Sequence, residues 1–534
     1  MDGVARIMHQ GELLINLDCP HRISHGVTMI NTKIVLLSAI LINQVCWLSV
    51  NARTNLPTDP QTSQCKISET KFKTWFAGHS IAANGKVNAA DSVTFPTDNT
   101  DCDFYKWSSQ MFLWLTSPAG NDGSYVFDSK VFFDVSPESD HKRKLISNVG
   151  IDGSAAPNNF GLRIPKKDEE IEEVGQAGGG GVLMSQDKSL VYYGIHVNDV
   201  YAYFLTGQKN NKINATNFPD SQTTIDAVKN YVKTLKGVKP LPDYNAMTME
   251  LKTSWVDVST VESPDEYITI TATVPKYVPS NAEILPEEWL LDGTQTVTLA
   301  LVGMHVVGSV NQHPEMVWAT FEHLNNAPDN AYYYTNNKGK TSSVSYSSAG
   351  DWLFMETGGS LASGNQEFMT VQPESGDSTG NIYATKNKKK GRYNNIEPSN
   401  TFRNNPWGSA PNDKSVAGNN AQLISMNNDI LGFLKAGDKR KNYFLSGAVW
   451  TKKGHLPYYS TPKPSYPSFT EAGSLNLANS TMETYQQPTS PTGTNMISGC
   501  FSCHSISGAH AEQGKGLGLS HIYDEIQPLK VKKK

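Results

Sequence analysis

Charge of either sign is sparse in this chain. Asp, Glu, Lys and Arg make up 18% of its 534 residues and the formal net charge is −5, which leaves no basic field of the kind that holds nucleic acid. No segment repeats. The glycine run Gly178-Gly179-Gly180-Gly181 is not followed by G-K-[ST], so with the charged stretch before it (Lys166 onward) it reads as an exposed loop and not as a phosphate cradle. Long apolar runs are missing too. The most apolar one, Ile34 to Leu41 extended through Cys46-Trp47-Leu48, is broken by Asn43 and Gln44 and falls short of a transmembrane helix. Cysteine is scarce, with six in all. No second C-x-x-C completes a zinc site, and no thioredoxin-like βαβ pattern surrounds the pair that is present.

That apolar run has the make-up of an export signal. Met29-Ile30-Asn31-Thr32-Lys33 is a short basic start, and Val50-Asn51-Ala52 ends the run on a small residue, which predicts cleavage after Ala52 and a periplasmic or secreted bacterial protein. Lipidation at Cys46 is disfavoured, since Asn43-Gln44-Val45 is not a small-residue lead-in. Residues 1–28, with Cys19 and His21, read as an upstream extension outside the mature protein. Of the remaining cysteines, Cys65 and Cys102 form the natural disulfide of an oxidising compartment.

The other two carry the most specific signal. Cys500-Phe501-Ser502-Cys503-His504 is C-x-x-C-H, the attachment signature of a c-type haem. Two thiols at this spacing can add across the two haem vinyl groups, and the adjacent histidine can ligate the iron. The reading assigns one covalent haem c to Cys500 and Cys503, with His504 as the proximal ligand; the alternatives are a redox pair or half of a zinc knuckle. Only Ser505 to Lys534 follow the motif, and no methionine is among them. The distal Met familiar from small cytochromes c is therefore not available downstream, and the haem must rest on the body of the protein. His521 is the first candidate for the distal position, ahead of Met482, Met496, the loop residue His510 or an open site.

The pattern elsewhere predicts a mainly β (α+β) fold: a large β-sandwich-like body with a few helices and a C-terminal haem-attachment segment. Phe104, Trp107, Met111 and Trp114/Leu115 recur at helical spacing after Asp101 and Asp103, and a second helix follows Asp220-Ser221 with Ile225, Val228, Val232 and Leu235 on one face. Residues 190–205 read as a hairpin turning at Asn198-Asp199. Stretches 251–258, 267–274, 296–310, 316–321 and 443–451 read as strands. Three regions result, an N-terminal α+β region (53–245), a β-rich region (246–470) with a long polar surface excursion at 375–420, and the haem segment (471–534). Within the second, His305, His313, Glu315, Glu322 and His323 stand close together in sequence. They are most simply a polar network, otherwise a wall of the haem pocket or a separate metal site.

Four segments, CDFYKWSSQMFLWLTSP (102–118), LALVGMHVVGSVNQHPEMVWATFEHLNNAP (299–328), LANSTMETYQQ (477–487) and CFSCHS (500–505), together resemble a group of large bacterial proteins labelled cytochrome c family proteins. These carry one C-x-x-C-H near the C-terminus, preceded by L-A-N-[ST]-T-M-E-T-[YF], and a W-[AS]-T-F-E-H block mid-chain. The resemblance implies haem binding through Cys500, Cys503 and His504 and single-electron transfer. It supplies no substrate. Lys515, Lys530, Lys532, Lys533 and Lys534 then become candidates for docking an acidic redox partner, unless they are simply a solvated tail. The alternative functions are a haem-dependent peroxidase or oxidase, with His521, His323 or Glu322 as acid/base, or a sensor of small ligands.

Overall fold

A computed structural model of the chain describes residues 53–61, 65–120, 123–137, 141–147, 158–159, 177, 180–281, 286–372, 380–387, 390–458, 471–487, 499–506 and 515–534. The expected leader (29–52), the extension before it, most of the run 166–181, Met496 and His510 lie outside them.

The body is mainly β. Its centre is a twelve-stranded sheet whose main path runs Glu471–Gly473, Tyr443–Thr451, His313–His323, Glu288–Val310, Met249–Asp257, Tyr192–Asn198, Phe132–Val135 and Leu145–Ser147. Every neighbouring pair on that path is antiparallel. The strands expected at 251–258, 267–274, 296–310, 316–321 and 443–451 are all present, and the one at 296–310 is the end of a longer strand that begins at Glu288 and pairs over its first half with Thr269–Pro279.

Side chains alternate across this sheet, so each face has its own cover. On one face lie α1 (Glu69–Lys73), α2 (Asp101–Leu115) and, from the far end of the chain, the helix Ala417–Phe433. Phe104 stacks on Trp450 with ring centroids 4.2 Å apart, and Phe112 stacks on Phe321 at the same separation. Helix α2 starts where expected because Thr100 and Asp103 close a capping box: the Asp103 carboxylate accepts from the Thr100 N–H (2.9 Å) and hydroxyl (2.8 Å). The opposite face carries α3 (Asp199–Lys209), α4 (Gln222–Lys233) and the C-terminal segment, packed on Val197, Val307, Trp318 and Val449.

Two expectations need correction. The chain does not turn back at Asn198-Asp199; it leaves the strand Tyr192–Asn198 straight into α3. Asn198 is the buried N-cap: its side-chain oxygen accepts from the Tyr201 N–H at 3.0 Å, and its amide donates to the Met247 carbonyl at 2.6 Å. Val200, Tyr201, Phe204 and Leu205 then recur at helical spacing and are buried, so the period after Asn198 is that of a helix. The polar stretch 375–420 is likewise not all surface. Thr401, Arg403 and Trp407 are buried within it, and its last residues already belong to the helix Ala417–Phe433.

Cys65 and Cys102 are joined, with Cα atoms 5.3 Å apart. The bridge ties the segment before α1 to the first turn of α2 and closes a 37-residue separation, which by loop entropy is worth about 3–4 kcal/mol. Replacing both residues by serine should lower the unfolding free energy by that amount in urea titrations. A denaturation midpoint equal to that of the wild type would show the cross-link to be energetically idle.

Candidate haem-attachment site

The motif sits on the sheet face that carries α3 and α4. Strand register brings three rows of side chains to that face. Tyr193, Ser254, Gly303 and Glu322 form one, Ile195, Lys252, His305 and Thr320 the next, and Val197, Glu250, Val307 and Trp318 the third. The C-terminal segment lies along these rows. Residues 479–483 cover the first two, and the third meets Phe501, His504 and Ser520.

The 479–483 turn can lie this close because position 303 is glycine. A Cβ there would come within 2.6 Å of the Ser254 hydroxyl and 2.7 Å of the Thr481 hydroxyl. In the space so left, Asn479 Nδ2 donates to Thr320 Oγ1 (2.8 Å), and Glu483 accepts from the Asn479 N–H (2.9 Å) and pairs with His305 Nε2 (2.9 Å). Burial alone would raise the Glu483 carboxyl, but the His305 imidazole beside it draws it down to about 2.

From Gly499 the chain makes one tight turn. Gly499 takes φ 62°, and a side chain there would strike the backbone of Leu475 and Leu477. The Cys503 and His504 N–H groups both donate to the Cys500 carbonyl, at 3.2 and 2.9 Å. Phe501 is fully buried against Trp318 and anchors the turn, as does Ile506 at its exit. The two thiols are not joined to each other, Cys500 half-buried and Cys503 exposed. Burial, with the Glu483 carboxylate second, pushes the Cys500 thiol well above its ordinary range. A C-x-x-C redox couple needs the opposite, a thiol lowered toward the thiolate.

His504 is held by its neighbours. Its Nδ1 lies 2.7 Å from the Leu519 carbonyl, which fixes Nδ1 as the protonated nitrogen and leaves Nε2 with a free lone pair. Burial keeps the imidazole neutral, its pKa well below the ordinary value. Trp318 and His521 lie against its two faces, with ring centroids 4.1 and 3.9 Å away. A neutral imidazole with its Nδ1–H engaged and two unpaired thiols on the preceding turn is the donor set that a covalently attached haem requires, and these residues fit that group.

The other expected ligands are placed differently. His521 is stacked on His504 and its Nε2 lies 3.2 Å from the Cys503 carbonyl. Met482 is buried in another part of the core, among Leu183, Tyr193, Val256, Val302 and Phe354. Among the described residues no group of three or more His, Cys, Asp or Glu side chains is placed to hold a metal ion.

The mid-chain cluster divides into separate partnerships. His305 pairs with Glu483 and Thr320 next to the motif. His313 bonds Glu315 at 2.8 Å and meets Phe104 edge-on, on the α2 face. Glu322 binds Arg403 at 3.0 Å. His323 stacks on Tyr267 at 3.8 Å and meets Tyr443 edge-on, and burial lowers its pKa to about 3. The unfolded chain therefore takes up a proton near the ordinary histidine pKa that the folded chain refuses. This contribution to stability is complete above about pH 6.5 and is lost between there and pH 3, by up to about 1.4 kcal/mol per pH unit. His323→Gln should flatten the dependence of the urea midpoint on pH between 6.5 and 4; a slope equal to that of the wild type would show that His323 titrates normally.

The lysines at the C-terminus are exposed but not adrift. The Lys236 N–H donates to the Lys532 carbonyl (2.8 Å) and the Lys534 N–H to the Thr234 carbonyl (2.9 Å). Lys532, Lys533 and Lys534 thus join the exposed Lys233 and Lys236 in one basic patch at the end of α4, and Lys530 before them is exposed as well. Sequence reasoning found the motif but missed Trp318, Leu519 and Glu483 as its surroundings. The signal for two of them was present, since Trp318 and Glu483 fall in the W-A-T-F-E-H and L-A-N-S-T-M-E-T segments.

Compared with known proteins, the chain matches no family model, no curated protein and no solved structure. Among the described residues no helix is long and apolar enough to cross a membrane.

Proposed function

We propose that the chain is an exported monohaem c-type cytochrome-like protein that passes single electrons. The observation that carries this reading is the engagement of His504 Nδ1 by the Leu519 carbonyl at 2.7 Å, within a C-x-x-C-H turn whose thiols are unpaired. Each thiol adds its sulfur to one carbon of a vinyl group and its proton to the other, so attachment exchanges no electrons. The bound haem supplies a one-electron iron couple. The chain presents Nε2 of His504 to the metal and sets the charge around it through Lys252, His305 and Glu483. Export is supported by the Cys65–Cys102 bridge. The basic patch around Lys532 and Lys236 favours an acidic protein as the electron partner, through steering that salt should weaken.

The reading is tested on the protein purified from an exporting host with haem-ligation machinery. Acid–acetone extraction should leave the colour on the polypeptide, and a reduced-minus-oxidised spectrum should show c-type bands. Transfer of the Soret absorbance into the organic phase, or a colourless chain, would overturn it. A peroxidase, oxidase or small-ligand sensor is the second reading, favoured by the burial of Met482 in a separate cluster and by the stacking of His521. Reaction of the iron with CO and peroxide separates it from pure electron transfer.

A further inference from the structure

The imidazole of His504 is bounded on three sides. The Leu519 carbonyl takes its Nδ1–H, Trp318 covers one ring face with an interplanar angle of 37°, and His521 covers the other at 16°. Each of these neighbours is fixed in turn. Trp318 is buried and its indole N–H donates to the Glu315 carbonyl at 2.9 Å. Next to His521, the Ser520 hydroxyl donates to Glu250 at 2.6 Å and bonds the Tyr201 hydroxyl at 2.8 Å. Ile522 and Tyr523, which follow, are both buried. The main chain on either side of His521 is thus tied to the sheet face and to α3, and the ring itself is held by its Nε2, 3.2 Å from the Cys503 carbonyl.

Two imidazoles that ligate one iron from opposite sides point at each other end to end. With metal–nitrogen bonds of about 2 Å, their ligating nitrogens stand about 4 Å apart with the haem plane between them. In this protein the two rings lie face to face with centroids 3.9 Å apart. That is van der Waals contact between ring faces, with no slot for a macrocycle, and it puts His521 beside His504 on the same side of any metal bound at Nε2. We infer that His521 is a positioning residue which, with Trp318 and the Leu519 carbonyl, clamps His504 as a preset Nε2 donor, and that it is not the ligand on the far side of the iron. The inference rests on the haem reading above. Its consequence is functional, since the sixth position then falls to a group other than His521.

A stacking role and a ligating role respond differently to phenylalanine, which keeps a ring and has no nitrogen. In the haem-loaded protein, His521→Phe should keep the wild-type Soret position, spin state and CO reactivity. His521→Ala should keep the spin state at neutral pH but lose the clamp, raising the midpoint of the acid transition that detaches His504 by about one pH unit, a tenfold change in that equilibrium. If both variants instead turn a low-spin, CO-inert iron into a high-spin, CO-binding one, His521 is the distal ligand and the inference is wrong. A second readout needs no haem. In the full chain with Cys500 and Cys503 replaced by serine, the His504 ring protons should be shifted upfield by the flanking rings and show the Nδ1–H tautomer. His521→Ala should relax that shift and His521→Phe should restore it. Identical His504 resonances in all three chains would also overturn the clamp. A wild-type chain that carries no covalent colour refutes the haem reading on its own terms and leaves the clamp to be judged by these resonances.

Discussion

Replacing Cys500 and Cys503 together by serine should remove all covalently bound haem from the polypeptide. The two thioether bonds are the only links in the reading that survive denaturing extraction. Nε2 of His504 is a coordinate donor and lets go in acid. Serine is close in size to cysteine, and the turn that carries the motif does not depend on sulfur. Phe501 and Ile506 anchor it in the core, Gly499 sets its entry, and the Cys500 carbonyl accepts from the two N–H groups that follow. The exported double variant should therefore keep the far-ultraviolet circular dichroism of the wild type while its Soret band after acid–acetone extraction falls to background. The single variants should retain colour through the remaining thioether, Cys503→Ser more fully because the exposed thiol is the less constrained of the two. A double variant that keeps its Soret absorbance on the chain would place the cofactor elsewhere.

How much of this was legible beforehand depended on how local each signal is. The covalent site is five consecutive residues, and it could be read without any fold. Helix α2 and α4 showed their caps and their spacing within a single stretch. The hairpin expected at Asn198-Asp199 failed because an Asn-Asp pair serves a turn and an N-cap equally well. What decided between them was the Met249 N–H at the start of another strand, and the Met247 carbonyl just before it, meeting the Asn198 side chain. The helix Ala417–Phe433 was hidden for a related reason. It is rich in Asn, a residue that reads as loop, yet Asn420 donates to the Tyr333 carbonyl and Asn427 donates to the Leu445 carbonyl and accepts from the Leu445 N–H. The environment of His504 was not local at all. Trp318 reaches it through strand register, and Leu519 and His521 through the return of the tail across the same sheet face, so nothing in the motif itself announced its clamp.

The buried cation at position 403 is where the largest loss of stability is expected. Arg403 lies in the stretch that sequence patterning assigned to the surface, but its side chain is only 3% exposed. It donates to Glu322 at 3.0 Å, to Asp329 at 2.5 Å, to the Thr54 hydroxyl at 2.7 Å and to the Ala327 carbonyl, and its guanidinium lies 5.2 Å from the centre of the Phe444 ring. Glu322 in turn accepts from the N–H and hydroxyl of Ser480, a residue of the Asn479–Glu483 turn over His305. One side chain thus connects the 399–409 stretch, the central strand and the segment that precedes the motif. Arg403→Ala would leave the fully buried Glu322 without its counter-ion, and removing one member of such a pair typically costs about 3–5 kcal/mol. Burial already pushes the Asp329 carboxyl up from its ordinary value, so that group can take a proton when the guanidinium is gone, while Glu322 keeps two donors from Ser480 and one from Ser446. The expected loss therefore falls toward the lower end of that range. Arg403→Lys should recover little of it, because a single ammonium cannot reach Glu322, Asp329, Thr54 and the Ala327 carbonyl as the planar fork does. Arg403→Met combined with Glu322→Gln should recover more than either single change, since no unpaired charge then remains at the Glu322 end. Urea titrations of the wild type, the four single variants and the double variant at neutral pH measure all of this, with the slope checked for two-state behaviour. A shift for Arg403→Ala of less than about 1 kcal/mol, the scale of an exposed ion pair, would mean that the network is solvated.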